Sequence, residues 1–323
     1  MQLTFLALTF FIGYRFYCFV LSCQGQGPVF PGRPPSVEAF LPIAGLMSMK
    51  YFLFTGVIEP AHPAAFIMFV AIVLVSVLLK KGFCGWICPV GTVSQYLWMA
   101  GQKMIGRNYR MERYTDIAAR SVKYLLLGFF FYVIGLRMSP DSLSIFFSSE
   151  YYKTADIRTM MFFTEMSPAT FWSLAVITGL SLIYKNAWCR YLCPYGALLG
   201  LLSALSPLKI RRNEKKCIHC SACTRNCPTS LPVEEKEIIK SPECFGCMTC
   251  VSHCPAKGAL ELTVRTGRRR RAISPYLYIA ALVLIFSLVI VAGILSGTWR
   301  SAISDAQYRQ LLSGLVLKTT GHP

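Results

Sequence analysis

Acidic residues are few, 15 Asp and Glu against 33 Lys and Arg in 323 residues, and histidine is rarer still at four. No C-x-x-C-H occurs, which excludes a covalently attached c-type haem. Only His62 lies beside an apolar run, so a membrane haem with two histidine ligands cannot be built from this chain alone. No G-x-G-x-x-G or P-loop pattern follows a strand pattern, which leaves no candidate nucleotide site. Such a chain does little covalent chemistry of its own. What it has in excess is cysteine, at 14, and apolar surface: it is 54% hydrophobic with mean hydropathy +0.48. That is too apolar for a soluble domain pair.

Eight cysteines fall in two runs, Cys217-Ile-His-Cys220-Ser-Ala-Cys223-Thr-Arg-Asn-Cys227-Pro228 and Cys244-Phe-Gly-Cys247-Met-Thr-Cys250-Val-Ser-His-Cys254-Pro255. Each is C-x2-C-x2-C-x3-C-P, the bacterial ferredoxin spacing for a [4Fe-4S] cluster. A cubane has four iron corners; three closely spaced thiolates wrap three of them and the fourth comes from elsewhere. In two-cluster ferredoxins the fourth cysteine crosses over. The expected sets are therefore Cys217, Cys220, Cys223 and Cys254 for one cluster, and Cys244, Cys247, Cys250 and Cys227 for the other. Zinc or disulfides are the competing use of CxxC pairs, but zinc needs four ligands per site and has no use for the doubled three-plus-one spacing. His219 and His253 lie inside the runs, where loop packing accounts for them better than ligation.

Five apolar runs are near the roughly 17–25 residues that cross a bilayer, or approach it: Leu3–Leu21, Pro63–Leu79, Val122–Leu136, Pro168–Tyr184 and Ser274–Leu295. The third reaches that length if Arg120 and Arg137 snorkel to the interfaces. The net charge of +18 invites a nucleic-acid reading until its location is considered. Residues 80–123 and 185–271 hold 24 of the 33 basic residues but only 8 of the 15 acidic ones. Both segments flank span ends, so the bias is the positive-inside signal, and it puts the ferredoxin module in the cytoplasm. The Arg268–Arg271 block before the last run says the same. No nucleic acid is expected as a partner. In a reducing compartment the short-spaced cysteines indicate metal and not disulfides, leaving Cys18 and Cys23 as small buried apolar residues.

Residues 1–22 lack a basic leader and a clear cleavage site and read as a retained span. Arg15 within it either snorkels or faces a protein partner, headgroup or cofactor. Residues 24–36 are a turn-rich loop. Val37–Ile58 carries Glu38, Pro42, Gly45 and Lys50, and is re-entrant or interfacial if the N-terminus is inside, or a sixth span if it is outside. Glu59-Pro60-Ala61-His62-Pro63 reads first as a polar turn leading into the next helix. Its carboxylate and imidazole could also receive the protons of a quinol, which makes Glu59 and His62 candidate quinone-site residues. Met138–Ser167 reads as an outer loop, and Lys209-Ile-Arg211-Arg212 as a basic linker.

A second motif is repeated. Phe83-Cys84-Gly85-Trp86-Ile87-Cys88-Pro89-Val90-Gly91 recurs as Trp188-Cys189-Arg190-Tyr191-Leu192-Cys193-Pro194-Tyr195-Gly196, each after a span and before an amphipathic stretch. Cysteines four apart can be aimed by one helical turn at a common centre. The proline suits the first position of the following helix, whose N-terminus favours anionic thiolates. The simplest use is one further iron–sulfur or metal site bound by Cys84, Cys88, Cys189 and Cys193. Two redox-active dithiols, a copper or zinc site, and simple burial are the rivals.

The expected organisation is an α-helical integral membrane protein of five transmembrane helices, or six, carrying a small α+β bacterial-type 2[4Fe-4S] ferredoxin domain. It divides into N-terminal spans with an outer loop at 1–81, the first CxxxCP motif and amphipathic segment at 82–120, a second pair of spans at 121–187, and the second CxxxCP motif at 188–210. The ferredoxin domain follows at 211–266, then a basic linker, last span and tail at 267–323.

Paired CxxxCP motifs after spans, joined to a doubled C-x2-C-x2-C-x3-C-P module, resemble the NapH/MauN group of membrane polyferredoxins, over roughly residues 60–295. The resemblance implies a multi-pass protein of the cytoplasmic (inner) membrane, with redox partner subunits, that takes electrons from menaquinol or ubiquinol and passes them toward a reductase, or serves maturation of a redox enzyme. It implies cluster ligation by the eight cysteines from 217 to 254 and matches Cys84, Cys88, Cys189 and Cys193 to the paired motifs. Outer flavin-bearing or copper-reducing domains of longer relatives are missing, which points to the short NapH-like type. A copper-reducing assembly factor using the CxxxCP cysteines and a redox sensor are the alternative functions.

Overall fold

The computed structural model describes residues 1–25, 32–266 and 269–319. Residues 26–31 of the turn-rich loop and Arg268 of the arginine block lie outside the described residues. In chain order the helices are α1 (Gln2–Cys23), α2 (Pro42–Thr55), α3 (Pro63–Leu78), α4 (Gly82–Trp86), α5 (Pro89–Ile105), α6 (Arg113–Arg137), α7 (Pro140–Ser148), α8 (Glu150–Lys153), α9 (Ala155–Thr164), α10 (Pro168–Ile183), α11 (Pro194–Leu202), α12 (Ala222–Arg225), α13 (Thr249–Ser252), α14 (Pro275–Leu295) and α15 (Asp305–Thr319). Four strands, β1 (Leu208–Arg212), β2 (Ile238–Ile239), β3 (Leu260–Thr266) and β4 (Arg269–Ala272), complete the fold.

Among the described residues α1, α6 and α14 are long and apolar enough to cross a bilayer, at 22, 25 and 21 residues. α3 is apolar but has 16 residues, a rise of ~24 Å at 1.5 Å per residue. α10 also has 16 residues; it follows α9 across a 76° bend, and the two pass the same test only as a pair. The third apolar run lies in a helix longer than the run itself, with Arg120 inside it and Arg137 at its end. Its helix starts at Arg113, where Asp116 and Arg120 form an i,i+4 ion pair at 2.9 Å on the added turns.

The chain folds as two compact units. One comprises Met1–Leu6, Ile72–Phe129 and Trp172–Ser287; the other comprises Ala7–Ala71, Phe130–Phe171 and Leu288–Pro323.

The second unit adds detail to two stretches. Met138–Ser167 is largely helical: Ser139 and Ser149 cap α7 and α8 by accepting from Ser142 N at 3.1 Å and Tyr152 N at 3.3 Å. This folding buries Leu143, Phe147 and Tyr152 against Ala44, Met47, Ala61, Ala65 and Ile134. Within Val37–Ile58, α2 has 14 residues and stops at Gly56 in the left-handed conformation, a rise of ~21 Å. Its Lys50 donates to Ile134 O at 2.8 Å, Gly135 O at 2.9 Å and Met138 O, capping the C-terminal carbonyls of α6. A charge that looked awkward in an apolar stretch thus has the partners a helix end leaves open.

In the first unit the strands form one antiparallel sheet in the order β2-β1-β3-β4. The basic linker is strand β1: alternation puts Leu208 and Ile210 in the core and Lys209 and Arg211 on the other face. The sheet takes in Leu208–Ile210 and Arg269–Ala272, on either side of the expected 211–266.

Candidate iron–sulfur sites

Cys217, Cys220, Cys223 and Cys254 line one cavity, with Ala222, Pro255 and Ala259. Cys227, Cys244, Cys247 and Cys250 line another, walled by Ile210, Leu231, Val233 and Ile239. Each cavity collects three cysteines of one run and the last of the other. The loops share a backbone signature: His219 and Gly246, two residues after the first cysteine, have φ +54° and +64°, and Ser221 and Met248, one after the second, have φ +56°. Left-handed residues at fixed positions turn successive N–H groups into a concave loop, the polarity that suits anionic thiolates. His219 therefore stands where the other run uses glycine, and neither His219 nor His253 lines either of these two cavities. Burial pushes the Cys247 thiol up to about 11 and that of Cys250 further, and Cys250 lies within electrostatic range of Cys223 of the other set.

The two CxxxCP segments fold alike. In each, the second cysteine closes a wide π-type turn: Cys88 N donates to Phe83 O at 2.9 Å and Cys193 N to Trp188 O at 3.0 Å. Each second cysteine then caps the next helix, with Pro89 and Pro194 in the first turns of α5 and α11. In the second copy the sulfur accepts from that turn, Cys193 Sγ from Gly196 N at 3.2 Å. Glycine is required at 91, where a Cβ would lie 2.5 Å from Cys84 O; at 196 the nearest atom would be 3.5 Å away. Cys84, Cys88, Cys189 and Cys193 are mutually within electrostatic range, and burial raises the Cys84, Cys88 and Cys189 thiols, that of Cys88 to about 11.

Buried charges on α6 hold these pieces in place. Arg190 of the second motif donates to Asp116 through Nε at 3.0 Å and Nη2 at 2.9 Å, and Tyr191 OH adds a bond at 2.8 Å. Lys123 donates to Glu243, the residue before Cys244, at 2.6 Å, with Tyr124 OH at 3.0 Å. Burial opposes the Glu243 charge, but Lys81 and Lys123 hold the carboxyl below its usual range. These residues were not legible as site residues in the sequence. The only signal was charge where apolar spans meet cysteine motifs, and Lys80-Lys81 reads there as topology alone.

The first CxxxCP motif touches the ferredoxin loop directly. A Cβ at Gly85 would come within 3.3 Å of Cys247 Cβ and Phe245 O. Trp86 Nε1 donates to Gly246 O at 3.3 Å. Tyr278 OH, bonded to Leu79 O at 2.8 Å, sits against both Gly82 and Gly246.

In the second unit Glu59 and His62 are fully buried. Glu59 accepts from Ala61 N at 2.8 Å, His62 N at 2.7 Å and Tyr152 OH at 2.9 Å. His62 Nε2 donates to Tyr152 O at 2.8 Å, and Arg33 bridges Glu38 and Asp156 at 2.6 Å each. This is the turn leading into α3, elaborated into a buried polar network. Glu59 also borders a cavity lined by Tyr51, Phe147, Lys153 and Ile303.

Among the described residues no three His, Cys, Asp or Glu side chains converge closely enough to share one metal ion. A single zinc ion draws its donors to about 2.0–2.3 Å, whereas a cubane carries each thiolate on a different iron and needs a void between them. Two cavities with four cysteines each fit that group. The cysteine sets thus define an iron–sulfur protein of ferredoxin type.

Comparison with known proteins gives the family. The profile of the 4Fe-4S binding domain matches twice, at residues 61–108 and 166–213, reproducing the internal repeat, and that of the 4Fe-4S dicluster domain matches 209–255. YccM of Escherichia coli (strain K12), provisionally described as an electron transport protein, is 41% identical over 315 residues, covering 96% of this chain and 88% of its own. The ferredoxin-type protein NapH of Haemophilus influenzae is 28% identical over 176 residues, 54% of each chain. The methylamine utilization ferredoxin-type protein MauN of Paracoccus denitrificans is 26% identical over 174 residues, 50% of this chain and 55% of its own. No solved structure matches. The chain belongs to this family of membrane polyferredoxins, iron–sulfur proteins of electron transport.

Proposed function

We propose that the protein is an electron-transfer subunit of the cytoplasmic membrane, working between a membrane quinol or other redox partner and a cognate oxidoreductase. Cys217, Cys220, Cys223 and Cys254 hold one [4Fe-4S] cluster, Cys244, Cys247, Cys250 and Cys227 a second, and Cys84, Cys88, Cys189 and Cys193 a third centre at the membrane surface. Bound there, iron–sulfur clusters supply one-electron carriers whose potentials range over about −700 to +450 mV with environment.

The observation that carries this reading is the packing of Gly85 and Trp86 on Phe245, Gly246 and Cys247. It leaves no room for solvent or a long side chain between the CxxxCP loop and the second ferredoxin loop. So close an approach shortens the path through protein between the two sets of cysteines, which favours electron transfer.

Five crossings, α1, α3, α6, α10 and α14, with an inner N-terminus and the ferredoxin domain in the cytoplasm, are the topology we adopt. It is supported by Gln2, whose side chain donates to Gly85 O and to Gln95 Oε1 at 2.8 Å each, joining the first residues to the basic inner loop. The shortness of α2 and the use of Lys50 at the end of α6 support a non-crossing α2. Quinol oxidation releases two protons. Glu59, its carboxyl raised by burial, borders a cavity and suits the role of first acceptor, with His62 behind it.

The test is iron and acid-labile sulfide per chain, with EPR of the reduced protein, on wild type and a Cys84→Ser/Cys189→Ser variant purified anaerobically in detergent. About twelve irons falling to about eight, with both ferredoxin signals kept, supports three centres. About eight in both removes the third.

A further inference from the structure

Lys80 and Lys81 follow α3 and are each 1% exposed. Lys80 adopts φ +57°, which breaks the helix and turns the next residue inward. Its own ammonium is satisfied by Ile239 O at 3.0 Å. Lys81 is different: its Nζ has no hydrogen-bond partner among the described residues and stands 5.0 Å over the Phe245 ring.

The charges around it are already matched. Asp116 is taken by Arg190 and Arg120, and Glu243 by Lys123 with Tyr124. Lys81 shares the field of Glu243 with Lys123 but lies within 4 Å of no carboxylate among the described residues, so each of the two carboxylates faces two cations and the cluster keeps an excess of positive charge. Besides Glu243, its field reaches the sulfurs of Cys84, Cys88 and Cys189. A buried, unpaired ammonium is among the most costly groups a fold can hold. Four ordinary thiols are neutral at pH 7 and offset none of it, and neither do two disulfides. A metal centre ligated by four thiolates is anionic and offsets it from a position that Lys81 already faces.

We infer that the site formed by Cys84, Cys88, Cys189 and Cys193 holds an anionic metal–thiolate centre in the folded protein, and that Lys81 is its fixed counter-charge and raises its reduction potential. The inference rests on the third-centre reading above and tells against the dithiol use of these cysteines. The sign follows from charge alone: reduction adds an electron to an already anionic group, and a cation nearby stabilises the reduced form more than the oxidised one. Lys81 is thus a positioning and tuning residue and no ligand.

The experiment is an EPR-monitored redox titration of the full-length protein in detergent, for wild type, Lys81→Met and Lys81→Arg, with iron per chain counted in each. The signal to follow is the one removed by Cys84→Ser/Cys189→Ser. We expect its midpoint to move to more negative potential in Lys81→Met and to return toward wild type in Lys81→Arg, with the signal of the Cys217, Cys220, Cys223 and Cys254 cluster unmoved. If Lys81→Met instead loses about four irons, retention of them by Lys81→Arg also supports the counter-charge. An unmoved midpoint in Lys81→Met, or the same shift or iron loss in both variants, overturns the inference and leaves the third centre standing. A wild type with about eight irons removes the third centre itself, and the inference with it.

Discussion

Gly91 lies so close to Cys84 that a Cβ at position 91 would fall 2.5 Å from the Cys84 carbonyl oxygen, whereas Gly196, its counterpart in the repeat, would meet nothing nearer than 3.5 Å. The two copies of one motif therefore tolerate substitution differently. Gly91→Ala should displace the Cys84 turn and lose about four irons per chain with both ferredoxin signals kept, while Gly196→Ala should retain them. Equal iron in the two variants would show that the close approach does not matter to the site.

The grouping of cysteines across the two runs predicts which cluster each variant damages. Cys227→Ser should alter the EPR signal of the centre formed with Cys244, Cys247 and Cys250 and spare the other; Cys254→Ser should do the reverse. If each variant disturbs the cluster of its own run, the crossed assignment is wrong.

Lys123 and Glu243 are 0% and 3% exposed at their side chains, so removing one partner strands the other. Lys123→Met should destabilise the first unit by about 3–5 kcal/mol, read as a lowered thermal midpoint in detergent. Lys123→Met/Glu243→Gln should recover much of the loss. A double variant no better than the single one would mean that packing, and not the stranded carboxylate, is what matters.

Glu59 and His62 predict the slope of stability with pH. Burial raises the Glu59 carboxyl; at His62 burial works downward, but the Glu38 hydrogen bond and the Asp156 charge outweigh it and raise the imidazole. Both groups bind protons more tightly in the folded state, so stability falls as pH rises. The His62 contribution is complete below about pH 6.5 and is lost through its folded pKa, and that of Glu59 declines from about pH 4.3 upward. The thermal midpoint should drop between pH 6 and 9, less steeply in His62→Gln. An identical slope in that variant would exclude His62 as a source.

Substitution of Gly85 separates contact from assembly. Gly85→Leu should force the first CxxxCP loop away from Cys247 and slow quinol-linked reduction of the ferredoxin signals at least tenfold, with iron content and both spectra intact. Unchanged reduction kinetics would remove the Gly85 contact from the electron path.

Much of this was written locally. Cysteine spacing alone groups the ferredoxin ligands, because a cubane constrains positions a few residues apart, and the crossing of Cys227 and Cys254 follows from three thiolates being too few. The doubled CxxxCP motif is equally local, down to Pro89 and Pro194 opening their helices. Tertiary structure decided the rest. Lys81, Asp116, Lys123 and Glu243 are ordinary charges in sequence and acquire meaning only when distant segments bury them together. Met138–Ser167 became helical because Tyr152 and Leu143 find a core formed by Ala44, Met47, Ala61 and Ile134. The contact of Gly85 with Cys247 joins residues 162 positions apart. Local chemistry fixes what a short loop can ligate; burial and charge compensation depend on neighbours that only the folded chain supplies.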